Sequence, residues 1–167
     1  MLRVTGSEDV TTEAKRIRAT SVENLPVQQF VTYRISRVHA KLNAQATHLL
    51  SKAGLSLAQW RIIALIAIAG ETTPVAISRT GAIDKGLLSR KLRGLIDDGL
   101  VVARRDPSDH RQQVISLSES GRAIFEEMLP TMRQRQAHLL DTLTDQEERA
   151  LFTALEKIAS AAERREF

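Results

Sequence analysis

The spacing of Gly70, Gly81 and Gly99 limits what the middle of this chain can become. Thr73-Pro74 follows the first of these glycines closely. Thr can cap a helix start, and Pro suits its first turn, so residues 74–80 read as a short helix that Gly81 ends. Two or three residues later Asp84 is a good N-cap for a second helix, 85–98, which Gly99 stops. A short helix, a tight glycine turn and another helix make a helix-turn-helix pattern. Two apolar, strand-like pieces come next, at about 100–105 and 112–117. Between them Asp106-Pro107-Ser108-Asp109 has the composition of a turn. The expected fold is mainly α with a small β-hairpin wing: a winged helix-turn-helix plus a helical region.

The flanks supply that helical region. Pro26 suits the first turn of a long helix carrying Phe30, Ile35, Val38, Leu42, Leu49 and Leu50, ending near Ala53-Gly54. Ser56 and Gln59 form a capping box for a second helix that stops at Gly70. Its Trp60, Ile62, Ile63, Leu65, Ile66 and Ile68 cover most of its circumference, so near-complete burial is expected. After the hairpin, residues 119–140 read as a helix, which Pro130 should kink or split. Thr144 and Glu147 form a further capping box before the stripe Leu151, Leu155, Ile158 and Ala162. The organisation expected is a flexible tail over 1–24, a helical region over 25–54 and 119–167, and a winged helix-turn-helix lobe over 55–118.

Aromatic residues make up only 4% of the 167, so the core must be built of aliphatic side chains. The absence of cysteine excludes disulfides, thiolate metal sites and cysteine nucleophiles. His39, His48, His110 and His138 lack metal-ligand spacing, and no phosphate loop or serine elbow is present, so no enzyme, metal or cofactor is expected. The longest apolar run, Ile62–Ala69, is far short of the ~20 residues of a membrane helix. The N-terminus has no apolar signal core, and the expected location is cytoplasmic.

Net charge is +4, and its distribution is uneven. Between Arg79 and Arg111 eight Lys/Arg stand against five Asp, which concentrates three of those charges in one short stretch. That suits a surface meeting a polyanion, and equally a solvated charged face. The helix 85–98 favours the former. At about 100° per residue, Leu88, Leu92, Leu95 and Ile96 fall on one side. Opposite them lie Gly86, Ser89, Arg90, Arg93 and Asp97. Glycine admits a close backbone approach, while Ser and Arg can bond phosphates or base edges. The helix start offers N–H groups to phosphate. A hairpin following a helix in the major groove lies close to the neighbouring minor groove, whose concentrated negative potential suits Arg104, Arg105 and Arg111. Asp109 and Arg111, two apart, point to the same side in an extended segment, so the carboxylate can hold the guanidinium in position. A solvated turn with an incidental ion pair is the plainer alternative.

The stretches "GLSLAQWRII" (54–63), "GAIDKGLLSRKLRGLIDDGLV" (81–101) and "RRDPSDHRQQVISLSESGRAIF" (104–125) resemble the MarR family of bacterial transcriptional regulators. Asp109-His110-Arg111 and Leu117-Ser118-Glu119-Ser120-Gly121 match the family's wing in order and spacing. The resemblance covers about residues 25–162. It implies a homodimer on a pseudo-palindromic double-stranded operator, and a repressor as the expected role. It places Lys85, Gly86, Ser89, Arg90 and Arg93 toward the major groove, with Arg105 and Arg111 on the wing and Asp109 supporting Arg111. Gly86 stands where a small polar residue is common in the family. The resemblance also implies a cleft that takes small aromatic or phenolic acids as effectors, bordered by the segments carrying Tyr33, Arg34, His39, Trp60 and Arg61. Trp60 reads more simply as core and Arg61 as an ion-pair partner. A winged-helix interaction protein without specific DNA binding is the alternative function.

Overall fold

The computed structural model describes residues 24–107 and 112–164. The chain divides into two compact units, one ending at Gln45 and the other beginning at Ala46. In the first, Pro26 precedes the helix instead of sitting in its first turn. The Gln29 N–H donates to the Pro26 carbonyl at 2.7 Å and Val27–Gln29 form a single 3-10 turn. Helix α1 (Val31–Ser51) follows and ends slightly before the expected Ala53-Gly54. Over 26–41 every residue is exposed, including Val31, Tyr33, Ile35 and Val38.

The second unit holds the core. Helix α2 (Leu57–Ala69) starts on the capping box read from its sequence. Ser56 accepts the Gln59 N–H, and the Gln59 side chain accepts the Ser56 N–H at 3.0 Å. Trp60, Ile62, Ile63 and Ile66 are buried, but Ile68 is 82% exposed, so one flank of this helix meets solvent after all. Trp60 stacks on Phe125, with ring centroids 5.6 Å apart. Gly70, at φ +71°, turns the chain into strand β1 (Glu71–Thr72).

Helix α3 (Pro74–Thr80) is capped by Thr73, and helix α4 (Lys85–Asp97) by Asp84. The turn between them is built differently from a glycine turn. Gly81 has ordinary helical angles, and the left-handed residue is Ala82, at φ +47°. Space is tight at Gly81, where a β-carbon would lie 2.7 Å from the tip of the Leu65 side chain and 3.0 Å from the Ile77 carbonyl. Ser78 closes the turn twice. Its carbonyl accepts from the Ile83 N–H at 3.0 Å, and its hydroxyl donates to the Ile83 carbonyl at 2.8 Å.

Strands β2 (Val101–Arg105) and β3 (Gln113–Leu117) pair antiparallel with Val101 opposite Leu117 and Arg105 opposite Gln113. The hairpin is part of a three-stranded sheet, because β1 adds to the other side of β3 in the order β1-β3-β2. Helix α5 (Glu119–Leu140) runs through Pro130 without a break. The carbonyl that loses its partner belongs to Glu126, which is exposed, so water can satisfy it. Helix α6 (Asp145–Ala162) begins on the Thr144–Glu147 capping box and buries no residue. The core joins Ile77 of α3, Leu88, Leu92 and Leu95 of α4, Val101 and Ile115 of the sheet and Met128 of α5 around α2. No helix among the described residues is long and apolar enough to cross a membrane.

Candidate nucleic-acid interface

Helix α4 is held in place by its apolar side. Leu88, Leu92 and Leu95 are almost fully buried, and that burial fixes which residues must face outward. Lys85, Gly86, Ser89, Arg90 and Arg93 are all exposed. Lys85, Arg90 and Arg93 have no ion pair among the described residues, so their charges project as one positive face. The Arg90 guanidinium lies near Gly86, 3.8 Å from where a β-carbon would stand. The helix start is less open to an anion than expected. Its Asp84 carboxylate accepts the Leu87 N–H at 2.9 Å and puts a negative charge where phosphate would sit.

A groove of about 440 Å³ joins this face to its neighbours. Lys85, Ser89 and Arg93 line one side, Pro74, Val75 and Ser78 of α3 the other, and Gln113 of β3 closes one end. Leu88, Leu92 and Ile96 contribute its apolar part. Val75 and Gln113 are exposed residues that the sequence reading missed. The groove exists only through the crossing of α3, α4 and the wing, which periodicity does not reveal.

On the wing, Arg105 is exposed and directly opposite Gln113. The Asp106 N–H donates to the Gln112 carbonyl at 3.0 Å and closes the described end of the hairpin. Asp109, His110 and Arg111 lie outside the described residues. Arg104 is engaged elsewhere. Its guanidinium contacts both carboxylate oxygens of Glu71, at 2.8 and 2.9 Å, across the intervening β3. The cation expected to face DNA is thus neutralised by a residue 33 positions away.

The residues considered for an effector divide between the two units. Trp60 is core. Arg61 is exposed on the same helix. On α1, Tyr33 is 38% exposed, Arg34 borders a shallow hollow with Gln28, Arg37, Val38 and Lys41, and His39 receives the Asn43 side-chain amide at 3.1 Å. Among the described residues no group of acidic or histidine side chains is arranged to hold a metal.

A helix-turn-helix whose second helix presents an outward cationic face, followed by a sheet-supported hairpin, defines a winged helix-turn-helix protein. The MarR family model matches residues 53–112. The HTH-type transcriptional regulator BilQ of Clostridium symbiosum is 25% identical over 114 residues, 68% of this chain and 79% of that protein. Among solved structures, mutant MarR from E. coli complexed with operator DNA aligns with TM-score 0.67 and 25% identity, covering 80% of this chain and 99% of that one. The fold is shared with Bordetella bronchiseptica BpsR, whose DNA binding is regulated by 6-hydroxynicotinic acid. That alignment has TM-score 0.75 at 23% identity, over 81% of this chain and 96% of that one. The chain is similar to MarR-family proteins, with the family model matching residues 53–112, and its named relatives are transcriptional regulators.

Proposed function

We propose that the protein is a homodimeric, sequence-specific DNA-binding transcriptional regulator of the cytoplasm, acting as a repressor that a small aromatic acid releases. The observation that carries this reading is the outward face of α4, where Lys85, Gly86, Ser89, Arg90 and Arg93 are exposed behind three buried leucines. In this reading α4 lies in the major groove and the wing, with Arg105 and an Arg111 positioned by Asp109, reaches the adjacent minor groove. The lobe 55–118 binds DNA. Residues 25–54 and 119–167 form the dimer, and 1–24 is a tail. Tyr33, Arg34, His39 and Arg61 are the candidate effector contacts. The kinship with E. coli MarR, described on operator DNA, supports the first part. The fold shared with BpsR supports an aromatic acid as the effector class.

The test is a gel shift with the DNA upstream of the protein's own gene, repeated with a shuffled duplex and with a panel of aromatic acids. Retention of the specific duplex alone, relieved by one acid, is the expected result. Equal retention of both duplexes, or of neither, points to an interaction protein that keeps the winged fold without specific DNA binding.

A further inference from the structure

We infer that Val75 is a base-reading residue that recognises the C5-methyl group of a thymine in the operator. The inference rests on the proposed DNA-binding function and adds a reader from outside the recognition helix. Val75 is the second residue of α3 and is 71% exposed. It lies on a groove wall with Pro74, opposite Lys85, Ser89 and Arg93. Leaving a valine that exposed on a groove shared with Lys85 and Arg93 gains nothing for folding. A phosphate would use the cations and leave the valine idle. The major-groove edge of thymine differs in offering a carbonyl acceptor, O4, beside a methyl group. Lys85, Ser89 and Arg93 supply donors to the groove and Val75 with Pro74 an exposed apolar surface, and together they complement that edge. Cytosine fits worse, since it presents an amino donor to the donor wall and no methyl to the valine. Val75 is held rigidly enough to discriminate. Thr73 caps the helix start by accepting the Ala76 N–H at 3.2 Å, and Ile77, two residues on, is fully buried.

The experiment replaces each thymine of the retained operator in turn by deoxyuridine, which deletes only the methyl. Wild-type protein and the Val75→Ala and Val75→Ile variants are titrated against each duplex. Exposure of Val75 means that neither variant should disturb folding, which matched melting temperatures check. Wild type should lose about fourfold in affinity at one thymine per half-site, the size expected for one methyl group leaving an apolar contact. Val75→Ala should bind the thymine and uracil duplexes equally at that position, and Val75→Ile should keep the wild-type preference. If Val75→Ala weakens every duplex by the same factor, or if no thymine couples to position 75, Val75 does not read a base and the inference falls alone. If wild type retains no duplex specifically, the DNA-binding reading itself falls, and the inference with it.

Discussion

No side chain fits between Gly121 and the backbone of Leu100, because a β-carbon built on Gly121 would overlap the Leu100 carbonyl. Ser118 makes the same junction from the other side. Its hydroxyl donates to the Gly99 carbonyl at 2.7 Å and accepts the Gly121 N–H at 3.0 Å, while its own N–H donates to the Leu100 carbonyl at 3.1 Å. The end of α4, the start of the wing and the start of α5 are therefore pinned at one point. Gly121→Ala should destabilise the protein by roughly 1–3 kcal/mol, the usual cost of overpacking. Gly86→Ala is the contrasting case. There the added carbon meets the Asp84 carboxylate at 3.2 Å and the Arg90 tip at 3.8 Å, so the helical glycine-to-alanine gain of about 0.5–1 kcal/mol is offset by any displacement of that cap. Urea unfolding should show a far larger loss for Gly121→Ala than for Gly86→Ala. Operator affinity should fall for Gly86→Ala with little change in stability, if that face meets DNA.

The capping box of α6 should make its stability sensitive to acid. The Thr144 backbone N–H and hydroxyl both bond the Glu147 carboxylate, at 2.9 and 2.8 Å, and hold its pKa below the ordinary value of 4.5. A carboxylate with a lowered folded pKa stabilises the protein fully above its unfolded value. The contribution fades as pH falls through the folded one. The melting temperatures of wild type and Glu147→Gln should therefore differ near neutrality, and the difference should shrink as pH falls below 4.5. A difference that does not shrink under acid conditions would show that the carboxylate does not carry the cap.

Oligomeric state follows from apolar surface left uncovered. Leu151, Phe152, Leu155 and Ile158 of α6 are each 36–45% exposed, and α1 exposes Val31, Tyr33, Ile35 and Val38 besides. Soluble monomers rarely leave such stripes open. Light scattering at micromolar concentration should give twice the 18.6 kDa chain mass. Leu155→Glu should reduce that mass toward the monomer while leaving the core of the second unit folded, since Leu155 is not part of that core.

Much of this architecture was legible because caps are local. Ser56 with Gln59, Thr73 with Pro74, Asp84, and Thr144 with Glu147 each announce a helix start within three residues, and all four act as written. What escaped was non-local. Strand β1 has two residues and no periodicity, and it exists because Glu71 and Thr72 find Ser116 and Ile115. The pairing of Glu71 with Arg104 depends on that strand. The turn after α3 was correctly located but attributed to the wrong residue. Gly81 signals a turn by composition, whereas Ala82 adopts the left-handed conformation because Ser78 and the buried Ile77 dictate the chain path. The outward face of α4 could be read from its period, but the groove it forms with Val75 and Gln113 required the fold.

The outward face itself is tested at Arg90. Because the side chain is exposed, Arg90→Ala should leave the melting temperature nearly unchanged. Operator affinity should fall by about 1–3 kcal/mol if the guanidinium reads a guanine, with the loss concentrated at one base pair. A contact to phosphate alone would weaken all sequences similarly. Ser89→Ala should show a smaller loss of the same kind, and unchanged affinity in both would show that this face does not meet DNA.

The wing arginines should separate by their salt dependence. Each cation that neutralises a phosphate adds close to one to the slope of log K against log salt. Arg104 is already bonded to Glu71, and both side chains are about half exposed, so the pair adds little to stability. Arg104→Ala should therefore change the slope little, and Glu71→Gln should steepen it by releasing a cation. Arg111→Ala should lower operator affinity and make the slope shallower by roughly one per subunit. Asp109→Ala should reproduce that defect in weaker form, and the double variant should be no worse than Arg111→Ala, if the carboxylate acts through the guanidinium as proposed. Titrations from low to moderate salt on wild type and these variants distinguish the cases. Tighter binding by Asp109→Ala would mean that its carboxylate merely repels phosphate. A slope change for Arg104→Ala as large as that for Arg111→Ala would mean that DNA draws Arg104 away from Glu71.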